Sequence, residues 1–139
     1  MTFVRLTKDN KSLKEKALKE LLKVNNVDFY SDDEYTLNYL LLNDDGVVGE
    51  IDYKHTYIES DLLFIYIKKE YRGNKYSKYL LDESFKELKK IGIKKVFLEA
   101  DTENHIAFNL YKSYGFKEIS IRKNYYNNSH DAIIMEKEV

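Results

Sequence analysis

Apolar and polar residues alternate over residues 2–7, TFVRLT, and then the period lengthens. Leu13, Ala17, Leu18, Leu21, Leu22 and Val24 recur at helical spacing behind Asp9 or Asn10, either of which can cap a helix. A strand therefore leads into a helix. Residues 25–35, NNVDFYSDDEY, are polar and irregular, with room for a short second helix. The segment TLNYLLLNDDGVVGEIDYK predicts strand, turn, strand; Asp45-Gly46 is the hairpin signal, because the tight turn it favours needs positive φ at both central residues. DLLFIYIKK, rich in β-branched and aromatic residues and apolar on both faces, predicts a strand in the centre of the sheet. From Tyr76 the residues Leu80, Leu81, Ser84, Phe85, Leu88 and Ile91 make one helical face, closed by Gly92, with Lys86, Lys89 and Lys90 suiting the negative helix end. KKVFLEA predicts another buried strand, and NHIAFNLYKSYG a short helix with Ala107, Leu110, Tyr111 and Tyr114 on one face. FKEISIRKNYY and DAIIMEKEV read as two strands joined by Asn127-Asn128-Ser129-His130. The order β-α-(α)-β-β-β-α-β-α-β-β predicts a single α/β domain over residues 1–139 built on a mixed sheet.

Composition narrows the function. The chain has 139 residues, enough to bury a core without disulfide or metal staples. It has no Cys, which removes thiol nucleophiles and thiolate metal sites and suits a reducing, cytoplasmic setting. His55, His105 and His130 are too scattered for a metal cluster, so no metal is expected. Lys plus Arg number 23 against 24 Asp plus Glu, without the basic excess of a nucleic-acid binder. No apolar run approaches a membrane span, so no membrane partner is expected.

One stretch contradicts its local physics. EYRGNKYSKYLL opens a helix with Lys75 and Lys78 in or beside its first turn and Arg72 just before, where the partial positive charge of a helix N-terminus favours Asp or Glu. A strand feeding a helix through such a turn offers free backbone N–H groups and cations to a phosphate; a surface turn with solvated lysines is the plainer alternative.

FIYIKKEYRGNKYSKYLL and the following LEADTENHIAFNLYKSYGF, with Asn104, Ala107, Leu110, Tyr111, Gly115 and Phe116 in place, resemble the pyrophosphate-binding segment and the next strand and helix of the GNAT superfamily of acyl-CoA N-acyltransferases. The resemblance covers roughly residues 60–139. It implies a GNAT-like mixed, mostly antiparallel central sheet flanked by helices, and acetyl-CoA as co-substrate. Its pantetheine arm would run along Ile65, Tyr66 and Ile67, and its pyrophosphate would sit on Gly73, Asn74, Lys75, Tyr76, Ser77 and Lys78, with Asn104 a further contact. The family turn usually has Gly where Lys75 stands, and Gly or Ala where Ser77 stands. A lysine there is expected to hold negative φ.

Acyl transfer to an amine needs a neutral amine, a polarised thioester and stabilisation of the departing thiolate. By resemblance to bacterial ribosomal-protein-alanine N-acetyltransferases, Glu99 is the base and Tyr111 the acid. The plainer readings are a strand-end Glu paired with a cation and a core tyrosine. IRKNYYNNSHDAIIMEK resembles that group's terminal hairpin, which implies that Tyr125 and Tyr126 flank an incoming peptide N-terminus. The expected acceptor is a protein N-terminal α-amine. The alternatives are a small amine such as a polyamine or aminoglycoside, or a degenerate, non-catalytic binding module; a monomer or a homodimer is expected.

Overall fold

The computed structural model describes residues 1–7, 9–21, 34–123 and 130–139. The elements run β1 (Thr2–Leu6), α1 (Lys11–Leu21), β2 (Thr36–Asn43), β3 (Gly46–His55), β4 (Glu59–Ile67), α2 (Tyr76–Lys90), β5 (Lys95–Asp101), α3 (His105–Tyr114), β6 (Lys117–Arg122) and β7 (Ala132–Glu138). The expected order is present. The short helix expected in 25–35, like Leu22 and Val24, falls outside the described residues save for the turn at 34 and 35.

The strands form one seven-stranded sheet in the order β1-β2-β3-β4-β5-β7-β6. Every pairing is antiparallel except β4 with β5. α1 covers one face: Ala17 and Leu21 pack with Leu6, Leu40 and Val47. Asn10 begins that helix, its side-chain oxygen accepting the Leu13 N–H at 3.3 Å. The other face carries the larger core, where Leu80, Leu81, Phe85 and Leu88 of α2 meet Ile51, Tyr53, Leu62, Val96 and Leu98, with Tyr111 and Phe116 closing the end. Burying each such side chain is worth about 1.5–3 kcal/mol, so these rows hold α2 and α3 in place. Ser84 belongs to the buried stripe because its hydroxyl meets the buried Tyr53 hydroxyl at 2.7 Å.

Three expectations change. Ile91 is not a core residue: α2 ends at Lys90, and Ile91 is half exposed beyond the last full turn. The β2–β3 hairpin is real, but its turn is of a different kind. Asp44 and Asp45 have negative φ and only Gly46 is positive, at 138°, while the Asn43 side chain accepts the N–H groups of Asp45 and Gly46 at 2.9 and 3.0 Å. An Asx-stabilised turn thus replaces the one with two left-handed residues. Finally, β4 is central, fourth of seven, yet it is not buried on both faces: Glu59, Asp61 and Leu63 are exposed.

The place where β4 leaves β5 positions the site. β4 pairs with β5 over Glu59, Ser60 and Asp61 alone, opposite Lys95, Val96 and Phe97. Just beyond, the β3–β4 register shifts between Asp52 and Tyr53, leaving Leu63 as an extra residue. A bulge of this kind bends its strand. From Leu62 onward β4 leans on β3 and parts from β5, while β5 stays paired with β7 as far as Asp101. Gly49 tightens the far end of that lean: a Cβ there would come within 2.6 Å of the Tyr66 carbonyl oxygen and of the Ile67 side chain.

Candidate active site

The gap between β4 and β5 has a basic rim. Past Ile67 the chain makes a single 3-10 turn and enters α2 at Lys75. The first helical hydrogen bond runs from the Tyr79 N–H to the Lys75 carbonyl, so the N–H groups of Tyr76, Ser77 and Lys78 precede the intrahelical ladder. α2 has no acidic residue in its first turn and no side-chain cap. A cleft of about 240 Å³ opens there, lined by Ile67, Gly73, Lys75, Ser77, Lys78 and, from α3, Leu110. Gly73, at φ 84°, has nothing within 4 Å of where a Cβ would stand, so the turn presents bare backbone.

Lys75 departs from expectation. Its φ is +63° and ψ 24°, left-handed, and it is the sole non-glycine with positive φ among the described residues. The turn keeps a glycine-type backbone although a lysine occupies it. Asn74 braces it by donating to the Tyr71 carbonyl at 3.0 Å. Arg72 turns away from the helix start: its Nε donates to the Ile67 carbonyl at 2.9 Å and its guanidinium lies 5.2 Å from the Tyr66 ring centre.

Across the gap lies a second opening, a groove of about 620 Å³ lined by Asp61, Leu63, Phe97, Glu99, Arg122 and Ile134. Glu99 stands two residues inside the end of β5, which runs on to Asp101. Alternation along β5 sends Val96, Leu98 and Ala100 to the helix-covered core and Glu99 to the opposite, exposed face. Its partner is Arg122 of β6, Nη1 to Oε1 at 2.9 Å. Asp61, across the groove, has its carboxyl pushed above the ordinary range by burial and then by the negative charges of Glu99 and Glu59.

Tyr111 lies in the core on the other side of the sheet. It is the buried residue of α3, its ring edge-on to Phe116 at 5.8 Å, and burial alone pushes its phenol up to about 12. Glu99 and Tyr111 are therefore held on opposite faces of the sheet. A basic, amide-rich helix start thus stands at the end of a splayed strand. Residues 6–116 match the model of the Acetyltransferase (GNAT) family. The chain belongs to the GNAT family.

Among curated proteins, a GNAT relative from Haemophilus influenzae, the [ribosomal protein bS18]-alanine N-acetyltransferase, is 34% identical over 93 residues, 67% of this chain and 63% of that protein. An N-alpha-acetyltransferase from Sulfurisphaera tokodaii is 36% identical over 72 residues, 51% of this chain and 43% of its own length. The chain thus spans less than two thirds of the length of these curated relatives. Among solved GNAT structures, the ribosomal-protein-S18-alanine N-acetyltransferase of Escherichia coli superposes with a TM-score of 0.79 at 25% identity, over 99% of this chain and 94% of that one. The mixed, mostly antiparallel sheet with flanking helices is the GNAT fold.

Within it, Asn104 serves as the cap of α3, its Oδ1 accepting the Ala107 N–H at 3.2 Å. Tyr125 and Tyr126 lie outside the described residues. Among the described residues no group of three or more His, Asp and Glu is placed to hold a metal ion. No described helix is long and apolar enough to cross a membrane.

Two features escaped the sequence reading. Arg122 was visible only as part of IRKNYY; its reach to Glu99 depends on β6 lying beyond β7, an order that periodicity does not encode. Glu50 and Asp52, which alternate with apolar residues on β3, are fully buried. Asp52 Oδ1 accepts the Asn38 side-chain N–H at 2.6 Å, and Oδ2 has no hydrogen bond of ordinary geometry among the described residues. Burial first, then the adjacent Glu50, pushes the Asp52 carboxyl well above the ordinary carboxylate range.

Proposed function

We propose that the protein transfers acetyl from acetyl-CoA to a protein N-terminal α-amine, as one domain spanning residues 1–139. The observation that carries the reading is the split between β4 and β5, with a cationic helix start at one end and Glu99 on the groove beside it. The names of the relatives support the acceptor class: ribosomal-protein-alanine N-acetyltransferase and N-alpha-acetyltransferase.

Pantetheine would lie along the unpaired edge of Ile65, Tyr66 and Ile67, its amides taking the place of β5. The pyrophosphate would rest on the residue 73–78 turn, on the N–H groups of Tyr76, Ser77 and Lys78 and beside Lys75 and Lys78. The acceptor nitrogen attacks the thioester carbonyl; a C–N bond forms, the C–S bond breaks, and the surplus amine proton passes to Glu99. An α-amine, with a pKa near 8, is already about one-tenth neutral at pH 7, against about one in 2,500 for a lysine side chain, so this acceptor asks least of a carboxylate base. Tyr111 donates a hydrogen bond to the departing sulfur. A phenol near 12 facing a thiol near 8.5 is mismatched by about 3.5 units, roughly 5 kcal/mol, so the phenol does not hand over its proton. Tyr125 or Tyr126 would hydrogen-bond the backbone of the first acceptor residues.

Acetyl-CoA turnover against a panel of N-terminal peptides, polyamines and aminoglycosides, with wild type and Glu99→Gln, tests the reading. Peptides should turn over fastest, and Glu99→Gln should lose most at low pH, where little amine is neutral. Faster acetylation of small amines replaces the acceptor class. No turnover of any acceptor, with or without acetyl-CoA binding, leaves a non-catalytic module.

A further inference from the structure

Glu99 does not point into the groove unaided. Its strand neighbour on β7 is Ile134, an apolar residue that cannot orient a carboxylate, and across the groove Asp61 presents a like charge. The cation paired with it among the described residues comes from farther away. Arg122 is the last residue of β6, opposite Ala132 of β7, which is in turn opposite Asp101 of β5. To meet Glu99 the guanidinium leans back over β7, past Ile134, and closes to 2.9 Å on Oε1. That is the length of a charge-assisted hydrogen bond.

We propose that Arg122 is a positioning residue for acyl transfer: by holding Oε1 of Glu99 from the β6 side, it turns Oε2 toward the split where the acceptor amine arrives. The inference rests on Glu99 being the base. Asp61 repels the carboxylate from the β4 side while Arg122 draws it toward β7, so the two together select one orientation of a side chain on an otherwise open strand face. The choice of arginine fits, because its planar fork fixes direction as well as charge, whereas a lysine supplies charge alone. The side chains are 57% and 32% exposed, so solvent screens the pair and its loss leaves the fold intact.

The test is a kinetic cycle on the full chain with a peptide acceptor: wild type, Arg122→Met, Arg122→Lys, Glu99→Gln and Glu99→Gln/Arg122→Met. Arg122→Met should lower kcat by about ten- to a hundredfold, the scale of a misplaced reacting group. Its acetyl-CoA Kd and melting temperature should be unchanged, and Arg122→Lys should recover part of the loss. In the Glu99→Gln background the second substitution should cost nothing more, because Arg122 acts through the carboxylate. An Arg122→Met protein with wild-type kcat overturns the proposal, and so does an equal further loss on Glu99→Gln. Either result leaves Glu99 as the base; full activity of Glu99→Gln alone removes that reading and this one with it.

Discussion

Replacing Lys75 separates what its backbone costs from what its charge contributes. An L-residue in the left-handed region costs about 1–2 kcal/mol, and Lys75 sits there at φ +63°. Ala keeps that strain and removes the charge; Gly removes both. Gly in turn raises the entropy of the unfolded chain, which takes back about 0.4–1 kcal/mol. Lys75→Gly should therefore be more stable than Lys75→Ala by about 0.5–1 kcal/mol, and both should gain about 0.3 kcal/mol or more over wild type from removing a cation beside a helix N-terminus. For 139 residues the unfolding entropy is about 0.29 kcal/mol/K, so the Gly–Ala difference corresponds to about 2–3 °C in Tm. Thermal denaturation of the ligand-free proteins reads it directly. Calorimetric titration with acetyl-CoA at low and high salt then reads the charge. A cation about 4 Å from a phosphate is worth about 1 kcal/mol in water, so both variants should bind roughly fivefold more weakly at low salt, the deficit shrinking as salt rises. A Lys75→Gly protein melting at or below Lys75→Ala refutes the strain argument; wild-type affinity in both refutes the phosphate contact.

Tyr111→Phe should lower kcat by about a hundredfold, the effect of losing one transition-state donor, while acetyl-CoA affinity stays put; steady-state kinetics beside titration checks the split. The same variant should melt within about 1 °C of wild type, since burial is the cause of its raised pKa and no hydrogen bond to a described residue is lost. Lys75→Glu should weaken acetyl-CoA binding beyond Lys75→Ala and flatten its salt dependence. Asp52→Asn should stabilise the protein at neutral pH. A folded-state pKa raised above its unfolded value means that stability is fully present below about pH 4 and lost as pH rises toward the folded value, so the gain in Tm should vanish on acidification.

The element order was legible because each element carries its own period: alternation in β1, the three-four spacing of Leu80, Leu81, Ser84, Phe85 and Leu88 in α2, the Gly115 stop of α3. The proposed site was suggested by a conflict, lysines at a helix start, and by a family pattern around Glu99 and Tyr111. What stayed hidden is what depends on neighbours distant in sequence. The split of β4 from β5 follows from a one-residue register shift against β3, and periodicity carries no register. The φ of Lys75 follows from the turn it closes, not from its identity. The exposure of Ile91 follows from where α2 happens to end.

The parting of β4 from β5 also makes the sheet a mechanical object. Through hydrogen bonds its two leaves, β1 to β4 and β5 to β7, are stitched together at three residue pairs at one end, with the apolar core around α2 as the pad beneath. Two plates joined along one short edge have one soft coordinate, the angle between them, and every other deformation is stiffer. An extended chain laid into the opening acts as a splint across both free edges. Occupancy would then appear first as stiffness: amide hydrogens along residues 62–67 and 98–101 would slow their exchange with solvent together, and the two leaves would cease to breathe separately.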